Sequence, residues 1–153
     1  MIQDAINKSA IIYNPNPERY NKITRWVILF RGLLLNIKYL NRKVEKQCTD
    51  LKEAKKLFGG NEKMAISLFS RINAIEQAPI LKDIIFLPNF RFHSLRGKLD
   101  GMFSIDVKTK KDKWRLILRP LDDDEEIFDP CNIDEIADTV TIVEIREVSP
   151  HYE

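Results

Sequence analysis

Two segments of strict alternation stand out between Met102 and Pro120. Phe103, Ile105 and Val107 recur every second residue with Ser104 and Asp106 between them. Trp114, Leu116 and Leu118 repeat the pattern, with Arg115 and Arg119 on the other parity. Period two is the signature of a half-buried strand, because successive side chains leave opposite faces of a sheet. The charged stretch Thr109–Lys113 separates the two segments, so the pair predicts an antiparallel hairpin. Leu33–Leu40 reads as a first strand, apolar at its start and alternating at Ile37 and Tyr39. Thr139–Val148 reads as a last one, rich in β-branched residues.

Between the first strand and the hairpin the period changes. Val44, Cys48, Leu51, Ala54 and Phe58 fall at helical spacing, with Asn41 as N-cap and Thr49 or Asp50 as a point of interruption and recapping. Gly59-Gly60 ends this run, since glycine takes the left-handed conformation of a helix C-terminus without side-chain cost. Asn61 caps a cleaner stripe over Glu62–Gln77 (Met64, Ala65, Leu68, Phe69, Ile72, Ile75), which Pro79 stops. Two such helices form an αα-hairpin whose apolar faces must cover a sheet. Ile80–Phe86 fits a short helix or an extended connector, and Pro88-Asn89 a turn. Asp122–Asp138 is an acidic loop. The expected fold class is α+β.

Length and charge refine this picture. The 153 residues suit one domain, with residues 1–33 as an irregular or partly helical extension and 34–153 as the folded module. The net charge of +2 conceals a segregation: residues 34–120 hold 19 Lys/Arg against 9 Asp/Glu, and residues 121–153 hold 1 against 12. A basic body points to a polyanion such as nucleic acid, unless the acidic segment folds back and neutralises it. Asp122–Glu126 reads as a solubilising loop rather than a phosphate mimic.

Cys48 and Cys131 match no zinc or redox spacing, and with only His93 and His151 beside them no metal site or cofactor is expected. The apolar run Trp26–Leu35 is too short to cross a bilayer, and the polar residues before it make a poor signal peptide. A cytoplasmic protein is expected.

The candidate chemistry gathers around the hairpin. Its non-core face and lead-in loop carry His93, Arg96, Lys98, Lys113 and Arg115, a phosphate-binding surface in outline. Arg115 sits mid-strand opposite Trp114 and Leu116, and its planar fork suits a phosphate. The alternative is a cross-strand pair with Asp106 or Glu144. An imidazole such as His93 exchanges protons near cellular pH, although a lone histidine between Phe92 and Leu95 is more often structural. Lys110, Lys111 and Lys113 in the turn suit contacts to an RNA backbone, which are salt-dependent.

The runs His93-Ser94-Leu95-Arg96-Gly97-Lys98, Gly101–Val107, Trp114–Leu118 and Val140–Ile145, closing on His151-Tyr152, resemble the compact toxins of the RelE/ParE superfamily, most closely the HigB-like branch. The resemblance implies a β-α-α-β-β-β order, a mostly antiparallel sheet packed on an αα-hairpin. It implies a type II toxin, a metal-independent endoribonuclease that cleaves mRNA in the 30S A site of the ribosome and inhibits translation. The neutralising partner would be a helix-turn-helix antitoxin of the HigA type. In that frame Arg115, His93, His151 and Tyr152 are the catalytic candidates, and Arg96 and Lys98 hold phosphate. The family often ends in Asp-Tyr-His, whereas here the aspartate is missing and the order is His-Tyr. The alternatives are a ParE-like gyrase inhibitor and a catalytically silent RNA- or antitoxin-binding module. On this reading, Arg115→Ala abolishes cleavage without unfolding the protein.

Overall fold

The computed structural model describes residues 34–150. The expected extension over residues 1–33, and the candidates His151 and Tyr152, lie outside them. The first strand, β1, is Asn36–Tyr39, shorter than the alternation suggests. Asn41 caps α1 (Arg42–Thr49) by accepting from the Val44 amide. Asp50 then ends α1 and starts α2 (Leu51–Leu57), its carboxylate accepting from the Lys52 and Glu53 amides. The interruption expected at Thr49 or Asp50 is therefore a cap shared by two helices. Gly59 and Gly60 both have positive φ, and their amides return to the carbonyls of Lys56 and Lys55, closing the helix.

Asn61 caps α3, which runs Glu62–Gln77, its side chain accepting from Met64. Met64, Ala65, Leu68, Ile72 and Ile75 bury the expected stripe. The ambiguous stretch resolves as a short helix, α4 (Leu81–Ile85), followed by a 3-10 turn at Pro88–Phe90. A two-residue strand β2 (His93–Ser94), β3 (Phe103–Asp106) and β4 (Trp114–Leu121) follow. The acidic segment holds one short helix, α5 (Ile133–Ile136), and the chain closes on β5 (Ile142–Pro150).

The five strands lie in the order β1-β5-β4-β3-β2. β1 runs parallel to β5, and the other neighbours are antiparallel. The fold is thus α+β with a mixed sheet. The core lies between one face of that sheet and the helices: Phe103, Ile105, Val107, Leu116, Leu118, Val143 and Ile145 meet Leu68, Ile72, Ile75, Ala54 and Cys48. The edge of Phe58 rests on Trp114 at 4.8 Å between centroids, anchoring the hairpin to the end of α2.

The opposite face differs from expectation. Alternation at Ser104, Asp106 and Arg115 predicts side chains turned to solvent, yet Ser104 is 1%, Asp106 0%, Arg115 5% and Ser149 4% exposed. Ile117 and Leu121 on the same face are also buried. Alternation reports which residues share a face, not whether that face is wet. The centre of the second face is a buried polar layer rather than an open groove.

A candidate nucleic-acid interface on the β3–β4 hairpin

The register places Asp106 opposite Arg115, and Arg115 opposite Ser149. One row along, His93 pairs with Ser104 and Ser104 with Ile117. His93 and Arg115 therefore share a face, with backbones about 12 Å apart from strand spacing and rise.

Asp106 is the hub. Its Oδ1 lies 3.1 Å from Arg115 Nε, and its Oδ2 is 3.2 Å from Arg91 Nη1. The Arg115 contact is close in distance but not aligned as a hydrogen bond, since neither Oδ1 nor Nε has a hydrogen-bond partner. The rest of the Arg115 guanidinium serves the turn. Nη1 donates to the carbonyls of Asp112 and Trp114, and Nη2 to that of Lys110. The turn is closed further by the Asp112 amide on the Thr109 carbonyl and by the Thr109 hydroxyl on the Asp112 carboxylate at 2.8 Å. Arg115 is thus placed as the cross-strand partner of Asp106, with its donors turned inward. Its chemistry here is to hold the turn.

Arg71 joins from the helical layer. Its Nε donates to the Asp106 carbonyl at 2.8 Å, and Nη2 donates to the carbonyls of Asn89 and Lys108. The guanidinium stacks 4.2 Å over the Phe90 ring. Burial lowers the Arg71 pKa, and the Asp106 carboxylate opposes that shift. The helical stripe contained a signal for this residue: Arg71 stands three residues after Leu68 and four before Ile75, on the apolar side of α3.

Arg91 also escaped the sequence reading. It is a left-handed residue (φ 47°, ψ 51°) that closes the 3-10 turn, its amide donating to the Pro88 carbonyl. Its carbonyl lies 2.8 Å from His93 Nδ1. A carbonyl only accepts, so Nδ1 carries the hydrogen and the neutral ring keeps its lone pair on Nε2. His93 borders a cleft of about 310 Å³ that it shares with Lys82, Phe86, Phe92, Asp134 and Asp138. Lys82 is paired with Asp138 at 2.7 Å there.

Lys110, Lys111 and Lys113 are exposed on the turn, and Arg96 and Lys98 are exposed in the β2–β3 loop. No ion pair involves any of these five among the described residues. The two groups sit at opposite ends of β3, whose four residues alone span roughly 13 Å. They form the two ends of a cationic strip, not one pocket. Gly97, at φ 67°, lets the Arg96–Lys98 loop turn back on itself.

Within the acidic segment, Asp134 and Asp138 border the His93 cleft, whereas the Asp122–Glu126 turn is tied down elsewhere. Asp122 closes that turn by accepting from the Asp124 and Glu126 amides, and Glu125 pairs with Lys38 at 2.8 Å. Among the described residues no group of three or more His, Cys, Asp or Glu could hold a metal, and no helix is long and apolar enough to cross a membrane. In comparisons with known proteins, no family model, curated protein or solved structure matches this chain.

Proposed function

We propose that residues 34–153 form a RelE/HigB-like toxin module acting as a ribosome-dependent mRNA endonuclease, with a HigA-like helix-turn-helix antitoxin as its neutralising partner. One observation carries the reading. A turn bearing three exposed lysines (Lys110, Lys111 and Lys113) is braced from inside by Arg115 on the sheet face that also presents His93. The observed order, one strand, a helical layer and then four strands, has one strand more than the resemblance implies and is compatible with it at the level of an α+β fold.

In this reaction the ribose 2′-oxygen attacks the adjacent phosphorus while the bond to the 5′-oxygen breaks, leaving a 2′,3′-cyclic phosphate and a 5′-hydroxyl. His93 Nε2 takes the 2′-hydroxyl proton, because its Nδ1–H is committed to the Arg91 carbonyl. The exposed cations at Arg96, Lys98 and the lysine turn hold the flanking phosphates. Arg115 contributes by fixing the turn. His151 and Tyr152 remain candidates for the leaving-group proton and for stacking on a base.

The burial of Arg115 favours a second reading, a module of the same architecture that binds RNA or an antitoxin without cutting. Controlled expression with mapping of mRNA 5′ ends separates them. Growth arrest with cleavage inside translated codons, lost in His93→Ala with the fold intact, supports the nuclease. Arrest with intact mRNA and broken DNA would instead identify gyrase poisoning, and unimpaired cleavage by His93→Ala would remove the imidazole from the mechanism.

A further inference from the structure

Three guanidinium groups converge on the end of β3, and one carboxylate answers them. Arg71, Arg91 and Arg115 all contact Asp106, through its carbonyl or its carboxylate. Two of the three are buried, at 8% and 5% exposure for Arg71 and Arg115. Arg71 Nη2 and the two terminal nitrogens of Arg115 donate to the carbonyls of Asn89, Lys108, Lys110, Asp112 and Trp114. The Arg91 side chain is 40% exposed, and Asp106 Oδ2 engages its Nη1. A guanidinium has five N–H donors in a planar fork, so a single carboxylate oxygen leaves most of that fork for another anion. The cluster has more positive than negative charge, and Arg91 is the member through which the excess reaches the surface.

Position supports the same conclusion. Arg71 ties the Asn89 and Lys108 carbonyls together, so the segment carrying Arg91 lies against the root of the lysine turn. Arg91 holds a backbone conformation that a residue with a Cβ seldom adopts, and it uses that conformation to orient His93. One residue thus fixes the imidazole tautomer through its carbonyl and presents a cation through its side chain.

We propose that Arg91 is a direct phosphate contact, aimed by the buried Asp106 carboxylate, at the lysine-turn end of the cationic strip. Asp106 is its positioning residue. The ligand is the phosphodiester backbone of single-stranded RNA, so the proposal rests on the nucleic-acid reading above and names a residue that reading does not require.

The test uses the full chain and a labelled single-stranded RNA made resistant to cleavage by 2′-O-methylation, with binding followed by anisotropy between about 50 and 200 mM salt. Arg91→Gly accepts the left-handed backbone and removes the cation together with its hydrogen bond to Asp106 Oδ2. It should weaken binding about tenfold and lower the slope of log affinity against log salt by about 0.7, the loss of one phosphate contact on a single strand. Arg91→Lys should keep that slope while losing part of the affinity, because charge remains and the fork does not. Lys63→Ala, on the helical layer, controls for a generic change in net charge. Affinity and slope in both Arg91 variants indistinguishable from wild type would overturn the proposal while leaving RNA binding in place. A wild-type protein that binds no RNA at any salt would overturn the nucleic-acid reading and this inference with it. If Arg91→Gly fails to fold, the Arg91→Lys slope and affinity decide alone.

Discussion

Removing the Arg115 side chain is the sharpest perturbation the structure offers. Arg115→Ala takes away the close partner of a carboxylate that is 0% exposed, together with three donors that hold the turn carbonyls. Removing one member of a buried pair costs about 3–5 kcal/mol, because the survivor is left uncompensated. Arg91 still faces the carboxylate, but its contribution is screened at 40% exposure, which puts Arg115→Ala near the lower end, about 3 kcal/mol. Asp106→Asn leaves the buried Arg115 guanidinium without a counter-charge and belongs at the upper end, about 5 kcal/mol. Arg91→Gly takes the hydrogen-bond donor from the buried Asp106 Oδ2 and should cost about 1–3 kcal/mol. Domains of this size are stable by about 5–15 kcal/mol, so the first two changes remove a large fraction of the total. Equilibrium urea unfolding of the full chain reads them directly. With a slope of about 1–3 kcal/mol per molar, a 3 kcal/mol loss moves the midpoint down by roughly 1–3 M. Replacing both partners, as Asp106→Leu with Arg115→Met, should be less damaging than either single change. An Arg115→Ala midpoint equal to wild type would refute the bracing role and return the guanidinium to the list of groups available for a phosphate.

Other consequences are read in simpler assays. Ile72→Ala, at a residue 5% exposed between the helices and the sheet, should cost about 2–5 kcal/mol in the same urea experiment. Asp50→Ala removes the side-chain acceptor that opens α2, which should lower stability by about 1 kcal/mol; an unchanged melting temperature would contradict the shared cap. Burial pushes the Cys48 thiol up to about 12 from 9.0 and raises the Tyr39 phenol as well. Both groups are held neutral in the folded state. Their stabilising contribution is therefore complete below each group's ordinary value, 9.0 for Cys48 and 10.0 for Tyr39, and is lost as pH rises above it, by at most about 1.4 kcal/mol per pH unit for each group. Thermal melts should fall over that window in the wild type and much less in a Cys48→Ala/Tyr39→Phe variant. Equal alkaline sensitivity in the two proteins would exclude this pair as the cause.

The helical half of the molecule could be followed residue by residue before any coordinates. Asn41, Asp50 and Asn61 each accept from amides two or three positions on, and Gly59-Gly60 supply the left-handed exit, because caps are local chemistry between near neighbours. The β3–β4 hairpin was legible for the same reason, its side-chain period being set by the pleat. Ile80–Phe86 left two options open, and the structure settles them by packing Leu81 and Ile84 into the core. The candidate site was harder. Alternation put Arg115 on the right face and offered Asp106 as one possible partner, but it could not show that this layer is dry. Arg71 and Arg91 reach Asp106 from 35 and 15 residues away, so no local pattern marks them as its neighbours.

Read alone, the chain determined the caps, the breaks, the face each strand residue takes and the segregation of its charge, all of which depend on residues within a few positions of one another. Only the tertiary structure decided that three arginines would converge on one aspartate, that two of them would be sealed inside and that the third would reach water. The energy of a charge depends on what surrounds it in space, and burial depends on which distant segments fold against it. Spacing along the chain carries no record of either.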